Sequence, residues 1–300
     1  MNALKKILLT LLILPMKLGI FFLNTYQKLV ERFSSNLYMF VREEFIKNID
    51  NDKKEVIHSA GKSKEIKFLL YTPNRVCSFR HTSFSEKEPE MLSWIEDFGG
   101  EGAFYDIGAN IGIYSLYYAK IHSGNVYSFE PSVFNLRQLA KNVSINNLND
   151  QVTIISNPLS DSSGIATFIN GNDQEGGALS AFGVNYGFDG KPINSAIKYS
   201  VIGFQLDDLL ANGVISEPPS IIKIDVDGIE HLILNGSKNI LEMESLQSVF
   251  IEVNDAFKEQ STRIKSILDR SGFKLREKLH SEMMDKNLKF RDTYNQIWTR

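Results

Sequence analysis

The chain has 300 residues, 43% hydrophobic and 23% charged with a net charge of −3, which supplies a full globular core and excludes disordered and fibrous classes. Residues 1–60 hold nine Lys/Arg against six Asp/Glu and residues 61–300 hold 24 against 30, so the bulk of the molecule is acidic and nucleic acid is not an expected partner. A single cysteine, Cys77, excludes intrachain disulfides and fits a reducing, cytoplasmic compartment, and the five histidines contain no i, i+4 pair on which zinc hydrolysis could rest.

The first element is an apolar run over residues 4–23, interrupted by Lys5, Lys6, Thr10, Pro15, Lys17 and Gly19. Its unbroken piece, residues 7–14, is far shorter than the roughly 20 residues that span a bilayer, and no Ala-x-Ala cleavage pattern follows it. The first 30 residues carry four lysines and no acid. The preferred reading is a helix over residues 4–30 lying on the inner face of a membrane, its lysines snorkelling towards anionic headgroups. A helical arm packed on the domain or on a partner, and a true single span, stay open beside it.

Residues 31–67 turn polar, and residues 48–54 read as a turn or linker. The organisation is therefore an arm and linker over 1–60 and a main domain over 61–300. Residues 66–71 predict a strand and residues 79–84 a second, forming a small hairpin. Residues 88–98 predict a helix with Pro89 in its first turn and Gly99-Gly100 after its end.

Ala103-Phe-Tyr-Asp-Ile-Gly-Ala-Asn-Ile-Gly-Ile-Tyr-Ser115 then reads as strand, tight turn and helix. Gly108 and Gly112 permit a sharp reversal and close approach of a ligand to the backbone, and Asp106 stands at the carboxyl end of the strand, where open α/β sheets gather ligand groups. The order Gly108-x-Asn110-x-Gly112 lacks the G-x-G-x-x-G spacing of a pyrophosphate cradle. Val126-Tyr-Ser-Phe-Glu-Pro131 is a second short strand ending in a carboxylate, Glu130, which can accept hydrogen bonds from ribose hydroxyls. A nucleoside ligand is expected.

Residues 132–145 have helical spacing with Ser132 as cap, residues 152–155 a third strand, and residues 157–164 a loop at the same sheet edge. After a strand at 165–169, residues 170–195 form a long Gly/Asn/Ser-rich segment, expected to cover the substrate side of the site. Ile221-Ile-Lys-Ile-Asp-Val-Asp-Gly-Ile-Glu-His231 predicts a buried strand, a turn at Gly228 and a helix over 229–239. Residues 248–255 form the next strand.

At three points the chain resembles the class I S-adenosylmethionine-dependent methyltransferases, and specifically the FkbM family: Asp106-Ile-Gly-Ala-Asn-Ile-Gly-Ile-Tyr114, Phe129-Glu-Pro131 and Lys223-Ile-Asp-Val-Asp-Gly-Ile-Glu230. The resemblance covers about residues 88–255. It implies an α/β, doubly wound, mostly parallel seven-stranded Rossmann-like sheet, closed by strands at 273–278 and 294–299 with one strand antiparallel. It implies S-adenosylmethionine as cofactor, with Asp106, Gly108, Ala109, Asn110 and Gly112 around its methionine side and Glu130 on the ribose. Asn157, Ser160 and Asp161 would border the adenine.

Methyl transfer to an alcohol requires loss of the hydroxyl proton, which a positioned carboxylate or histidine accepts. Asp225 and Glu230 are the first candidates, with Asp227 and His231 behind them, and Lys223, Glu252 and Asn254 are candidate substrate contacts. Competing readings pair Lys223 with a neighbouring acid, make Glu230 a helix-start cap, or gather Asp225, Asp227 and Glu230 around Mg²⁺; the resemblance requires no metal. The expected activity is O-methylation of a small-molecule, glycan or lipid-linked acceptor. The alternatives are a nicotinamide-dependent oxidoreductase and a non-catalytic, membrane-tethered binding module on the same fold.

Overall fold

The computed structural model describes residues 3–61, 64–194, 197–280 and 290–300. Contacts divide the chain into two units, Met1–Asp52 and Lys53–Arg300. The first holds helices α1 (Ala3–Phe33) and α2 (Ser35–Asp50). Ser34 separates them by capping α2, its Oγ accepting from the Leu37 N–H at 3.3 Å, as N-cap serines do. Helix α1 runs about 46 Å at 1.5 Å per residue; no described helix is long and apolar enough to cross a membrane.

The second unit opens with β1 (Lys53–Ala60), β2 (Lys64–Tyr71), α3 (Arg75–Thr82), α4 (Phe84–Lys87) and α5 (Pro89–Phe98). Two expectations change here. The turn or linker expected over 48–54 narrows to Asn51 and Asp52, between the end of α2 and the start of β1, where the division by contacts also falls. Residues 79–84 are helical: the Asn74 side chain accepts from the Cys77 N–H at 2.9 Å and starts α3, while β2 pairs with β1. Its last turn aims Arg80 at the site described below.

Then come β3 (Ala103–Ile107), α6 (Ile113–Ile121), β4 (Val126–Phe129), α7 (Val133–Ile145), β5 (Val152–Ile155), β6 (Gly164–Asn170), β7 (Ser180–Phe182), β8 (Ile197–Gly203), α8 (Leu206–Ala211) and β9 (Pro219–Ile224). The chain closes with α9 (Glu230–Asn235), α10 (Lys238–Leu241), β10 (Ser248–Asn254), α11 (Lys258–Arg270), β11 (Lys274–Leu279) and β12 (Thr293–Thr299). The helix expected over 229–239 is broken between Asn235 and Lys238, where Ser237 turns its Oγ back onto the Ile233 carbonyl at 2.7 Å. Ser132 starts α7 without a side-chain cap bond.

The main sheet has seven strands in the order β11-β12-β10-β9-β3-β4-β5, parallel except for β12, which is antiparallel to both neighbours. It is the α/β, doubly wound arrangement expected from the sequence. β6 joins β7 and β8 in a separate antiparallel sheet.

Alternation along the strands feeds two cores. Phe104 and Phe250 face one, with Trp94 and Ile95 of α5 and Leu116 and Tyr117 of α6. Tyr105, Ile107, Val249 and Ile251 face the other, with Ile233, Leu234, Ile264 and Leu268. Burial on both faces explains the near-continuous apolar strands, and leaves the carboxyl ends of β3, β9 and β10 as the place where polar groups collect.

Candidate functional site

The turn after β3 is built from two left-handed residues, Gly108 (φ 80°) and Asn110 (φ 54°), with Gly112 (φ 85°) capping α6. A Cβ on Gly108 would stand 1.9 Å from the Asp225 carbonyl oxygen, and one on Gly112 would stand 2.4 Å from Leu139 Cδ1; the first glycine lets two strand ends meet and the second lets α6 pack on α7. The turn spends its own donors. Gly108 and Ala109 N–H both donate to the Phe129 carbonyl at 3.0 Å, Gly112 N–H to the Ala109 carbonyl at 2.8 Å, and Asn110 N–H to Glu130 Oε2 at 2.8 Å. With Ile111 N–H on Asn110 Oδ1 at 3.0 Å, every N–H from Gly108 to Gly112 is engaged within the protein, so the turn itself offers no pyrophosphate cradle of the G-x-G-x-x-G kind.

Over this turn lies a cavity of about 440 Å³, walled by Gly108, Ala109 and Asn110, by Val76, Phe79, Arg80 and Lys87 of α3 and α4, by Ile113 and Tyr114 of α6, and by Lys223, Asp225, Asp227 and Glu252. A smaller compartment of about 60 Å³ shares Gly108, Asn110, Gly177 and Asp225 with it; Glu130, Pro131, Asn135, Leu159, Phe168, Phe182 and Ile229 also line it. The long segment expected to cover the site crosses it as a strap. Asn110 Nδ2 and Asn135 Nδ2 donate to the Gly177 carbonyl at 2.7 and 3.2 Å, Arg80 Nε to the Gly176 carbonyl at 2.8 Å, and Asn74 Nδ2 to the Glu175 carbonyl at 3.1 Å.

Several expected site residues face this space. Lys223 is buried yet stays charged: burial pulls its pKa down, but Asp106 at 3.1 Å and Asp225 at 3.9 Å more than offset this and raise it. It also donates to the Gly108 carbonyl at 2.8 Å. Asp227, at φ 63°, accepts from Leu179 N–H at 2.6 Å and Ser180 N–H at 3.3 Å, anchoring the far end of the strap; burial and the neighbouring Asp225 push its pKa up to about 6. Glu252 is pushed well above the carboxylate range by burial and by Asp225 and Asp227. Burial raises Glu130 to about 7 against the pull of the Ser132 and Asn110 N–H groups.

Other expected residues lie elsewhere. Asp106 is fully buried beneath the turn, bonded to Ser115 Oγ at 2.6 Å and ion-paired with Lys223, the residue opposite it in the β3–β9 register. Glu230 is turned inward: it accepts from Val226 N–H at 3.2 Å, from Gly228 N–H and from Gln260, so it braces the turn before α9 and does not converge with Asp225 and Asp227 on a metal position. Among the described residues, no group of three or more His, Cys, Asp or Glu could hold a metal ion. His231 is buried, its pKa lowered by burial, and packs edge-on against Phe257. Asn254 accepts from Ala256 N–H at 2.9 Å within its own turn. Asn157 donates to the Ile202 carbonyl at 2.9 Å, and Ser160 leans on Asp161 at 3.4 Å; neither lines the cavity, whose wall at this loop is Pro158 and Leu159.

The sequence reading missed Arg80, Lys87, Tyr114 and Asn135, along with the tie of Glu88 to the Tyr114 hydroxyl. Tyr114 closes the first of the three family-like stretches but is given no role there, and the other three sit in no motif. Only the return of the strap onto α3 and α7 could have signalled them.

Comparison with solved structures gives an FkbM methyltransferase from Methylobacillus flagellatus KT at 15% identity and TM-score 0.42, covering 77% of this chain and 54% of that one, so this chain spans about half its length. An Aeropyrum pernix fibrillarin with natively bound S-adenosyl-L-methionine is similar at 10% identity and TM-score 0.41, covering 68% of each chain. An rRNA methylase from Streptococcus thermophilus is similar at 14% identity and TM-score 0.42, covering 73% of this chain and 95% of that one. No curated protein matches. The model of the methyltransferase FkbM domain matches residues 106–283. A match of that span, over more than half of the chain, makes this chain a member of the FkbM methyltransferase family.

Proposed function

We propose that the chain is an S-adenosylmethionine-dependent methyltransferase acting on an oxygen of a small-molecule, glycan or lipid-linked acceptor. The observation that carries this reading is a cavity in two compartments that meet at Gly108 and Asp225, with carboxylates on the far side of the junction. The smaller compartment is walled by Leu159, Phe168, Phe182 and Ile229 and ends at Glu130, a lining suited to an adenine and a ribose. At the junction, the missing Cβ of Gly108 leaves room for backbone approach, and Asp225 suits a cationic sulfur.

When bound, the donor supplies a methyl group made electrophilic by its sulfonium. Asp225 and Glu252 face the larger compartment, where an acceptor hydroxyl would lose its proton as the methyl arrives. A carboxylate placed there as base is worth about 10²- to 10⁴-fold, and alignment of the two reactants supplies much of the rest. Lys223, held by Asp106, fixes the Asp225 edge of the sheet against the turn.

Calorimetric titration with S-adenosylmethionine and with NAD tests the donor: saturable binding of the first alone is expected. Incubation of the protein with methyl-labelled donor and fractionated cell extract tests the acceptor. Label in the glycan, lipid or small-molecule fraction is expected, and label confined to nucleic acid would overturn the acceptor class.

A second observation bears on location. Helix α1 exposes Leu11, Leu12, Phe21, Phe22 and Leu29, with Lys17 and Lys28 among them. Large exposed apolar surface beside basic residues favours a peripheral contact of residues 4–30 with an anionic membrane face. Salt-sensitive co-sedimentation of the full chain with phosphatidylserine vesicles is the expected result.

A further inference from the structure

Among the described residues three cations line the larger compartment, and two of them are already neutralised. Lys87 is paired with Glu88, and Lys223 with Asp106 and Asp225. Arg80 has no carboxylate within ion-pair distance among the described residues; only its Nε is used, on the Gly176 carbonyl. That bond fixes the plane of the guanidinium and leaves its two terminal nitrogens without an acceptor among the described residues, a fork matched to a carboxylate.

The other charged side chains of the wall offer such a group no second partner: Glu88 and Asp225 are taken up by Lys87 and Lys223, and Asp227 and Glu252 are themselves acids. A carboxylate entering the compartment therefore has, among the described residues, one free cation to meet, Arg80. Arg80 is also close to the glycine turn: it holds the carbonyl of Gly176 while Asn110 holds that of Gly177, the next residue along the strap. The amino end of α6, with Ile113 and Tyr114 in the wall, adds its dipole on the same side.

We propose that Arg80 is the anchor for the α-carboxylate of the methyl donor. The assignment rests on the donor reading above. It places a binding residue in α3, ahead of the family-matched segment that begins at residue 106.

The experiment is a calorimetric comparison of S-adenosylmethionine with its decarboxylated analogue on the full chain and on Arg80→Gln and Arg80→Lys. Wild type should bind the decarboxylated donor at least ~10-fold more weakly than the intact one, the scale of a charge-assisted pair. Arg80→Gln should weaken the intact donor by a similar factor and leave the analogue within about twofold, and Arg80→Lys should fall between, since it keeps the charge and loses the fork. Equal losses for both donors, or none, would overturn the assignment. A thermal melt of each variant separates a folding defect from a binding one, and Arg80→Lys carries the comparison if Arg80→Gln does not fold. Wild type that binds neither donor would overturn the donor reading together with Arg80's role; wild type that binds the intact donor while both variants match it sinks Arg80 alone.

Discussion

Gly108 sits where two strand ends come closest, and its requirement for glycine has two separable causes. Its φ of 80° disfavours any side chain, and an added Cβ would lie 1.9 Å from the Asp225 carbonyl oxygen. Left-handed strain alone costs about 1–2 kcal/mol, and a backbone clash adds about 1–3 more. Gly213 isolates the first cause: its φ is 69° and nothing lies within 4 Å of its built Cβ. Gly108→Ala should therefore destabilise the fold by roughly 3 kcal/mol or more and abolish donor binding, while Gly213→Ala costs roughly 1–2 kcal/mol and leaves binding intact, as denaturant melts and calorimetry would show. Glu252 offers a test of chemistry. Burial and the acids around it raise its pKa well above the ordinary carboxylate range, so the carboxylate that the proposed base role calls for forms only as pH rises. Glu252→Gln should lower label transfer by about 10²-fold or more with donor affinity retained, and should remove the rise of rate with pH. Loss of donor affinity with no change in the pH profile would assign Glu252 to positioning.

At the level of elements, the strap over residues 171–179 joins parts of the unit distant in sequence. Asn74 both caps α3 and donates to Glu175, so Asn74→Ala removes a cap worth about 1 kcal/mol and one end of the strap together. Faster hydrogen exchange and proteolysis in residues 171–179, with the main sheet still protected, is the expected outcome; uniform loss of protection would mean that the strap and sheet unfold as one. The same region shows why the sequence was only partly legible. The parallel strands at Ala103–Ile107, Pro219–Ile224 and Ser248–Asn254 are apolar because both faces are covered, and that signal survives in one dimension. The glycine turn is legible for the same reason, since its backbone requirement is local. Residues 79–84 are not: their aromatic ends look like strand, and α3 exists through the Asn74 cap and its contacts with the strap. β7 is three residues long and depends on pairing with β6, whereas β8 carries its own alternation over Ile197-Lys-Tyr-Ser-Val201 that the sequence reading did not use. Within the site, charge was readable and direction was not. Asp106 and Asp225 both stand at strand ends, but a register that sets Asp106 opposite Lys223 buries the first and leaves the second facing the cavity. Glu230 looked catalytic until Gly228 and Gln260 claimed its oxygens.

At the scale of the whole molecule, the site acids couple the fold to pH. Glu130 and Glu230 are raised from 4.5 to about 7 and Asp227 from 3.8 to about 6, burial being the first cause in each, and Glu252 moves the same way. A raised carboxylate binds a proton more tightly in the folded chain than in the unfolded one. Its contribution is therefore fully present below the unfolded value and is lost as pH climbs through the folded value. For Glu130 and Glu230, both almost fully buried, that loss is roughly 3 kcal/mol each at 1.36 kcal/mol per pH unit. Glu88 and Asp189 are lowered instead, held down against burial by Lys87 and by Lys191 respectively, so their stabilisation fades only on the acid side of the ordinary carboxylate range. The two sets leave the ligand-free protein most stable near the ordinary carboxylate values, at about pH 4, with a decline through pH 5 towards pH 8. A thermal-melt series across that window should show Tm falling as pH rises, and Glu230→Gln should flatten the slope because one of the titrating groups is gone. Water reaching these carboxylates in solution would return their pKa values to the ordinary range and make the series flat. The proposed donor would bring positive charge beside Asp227 and lower the cost of ionising it, so its saturating addition should raise Tm more at pH 8 than at pH 5.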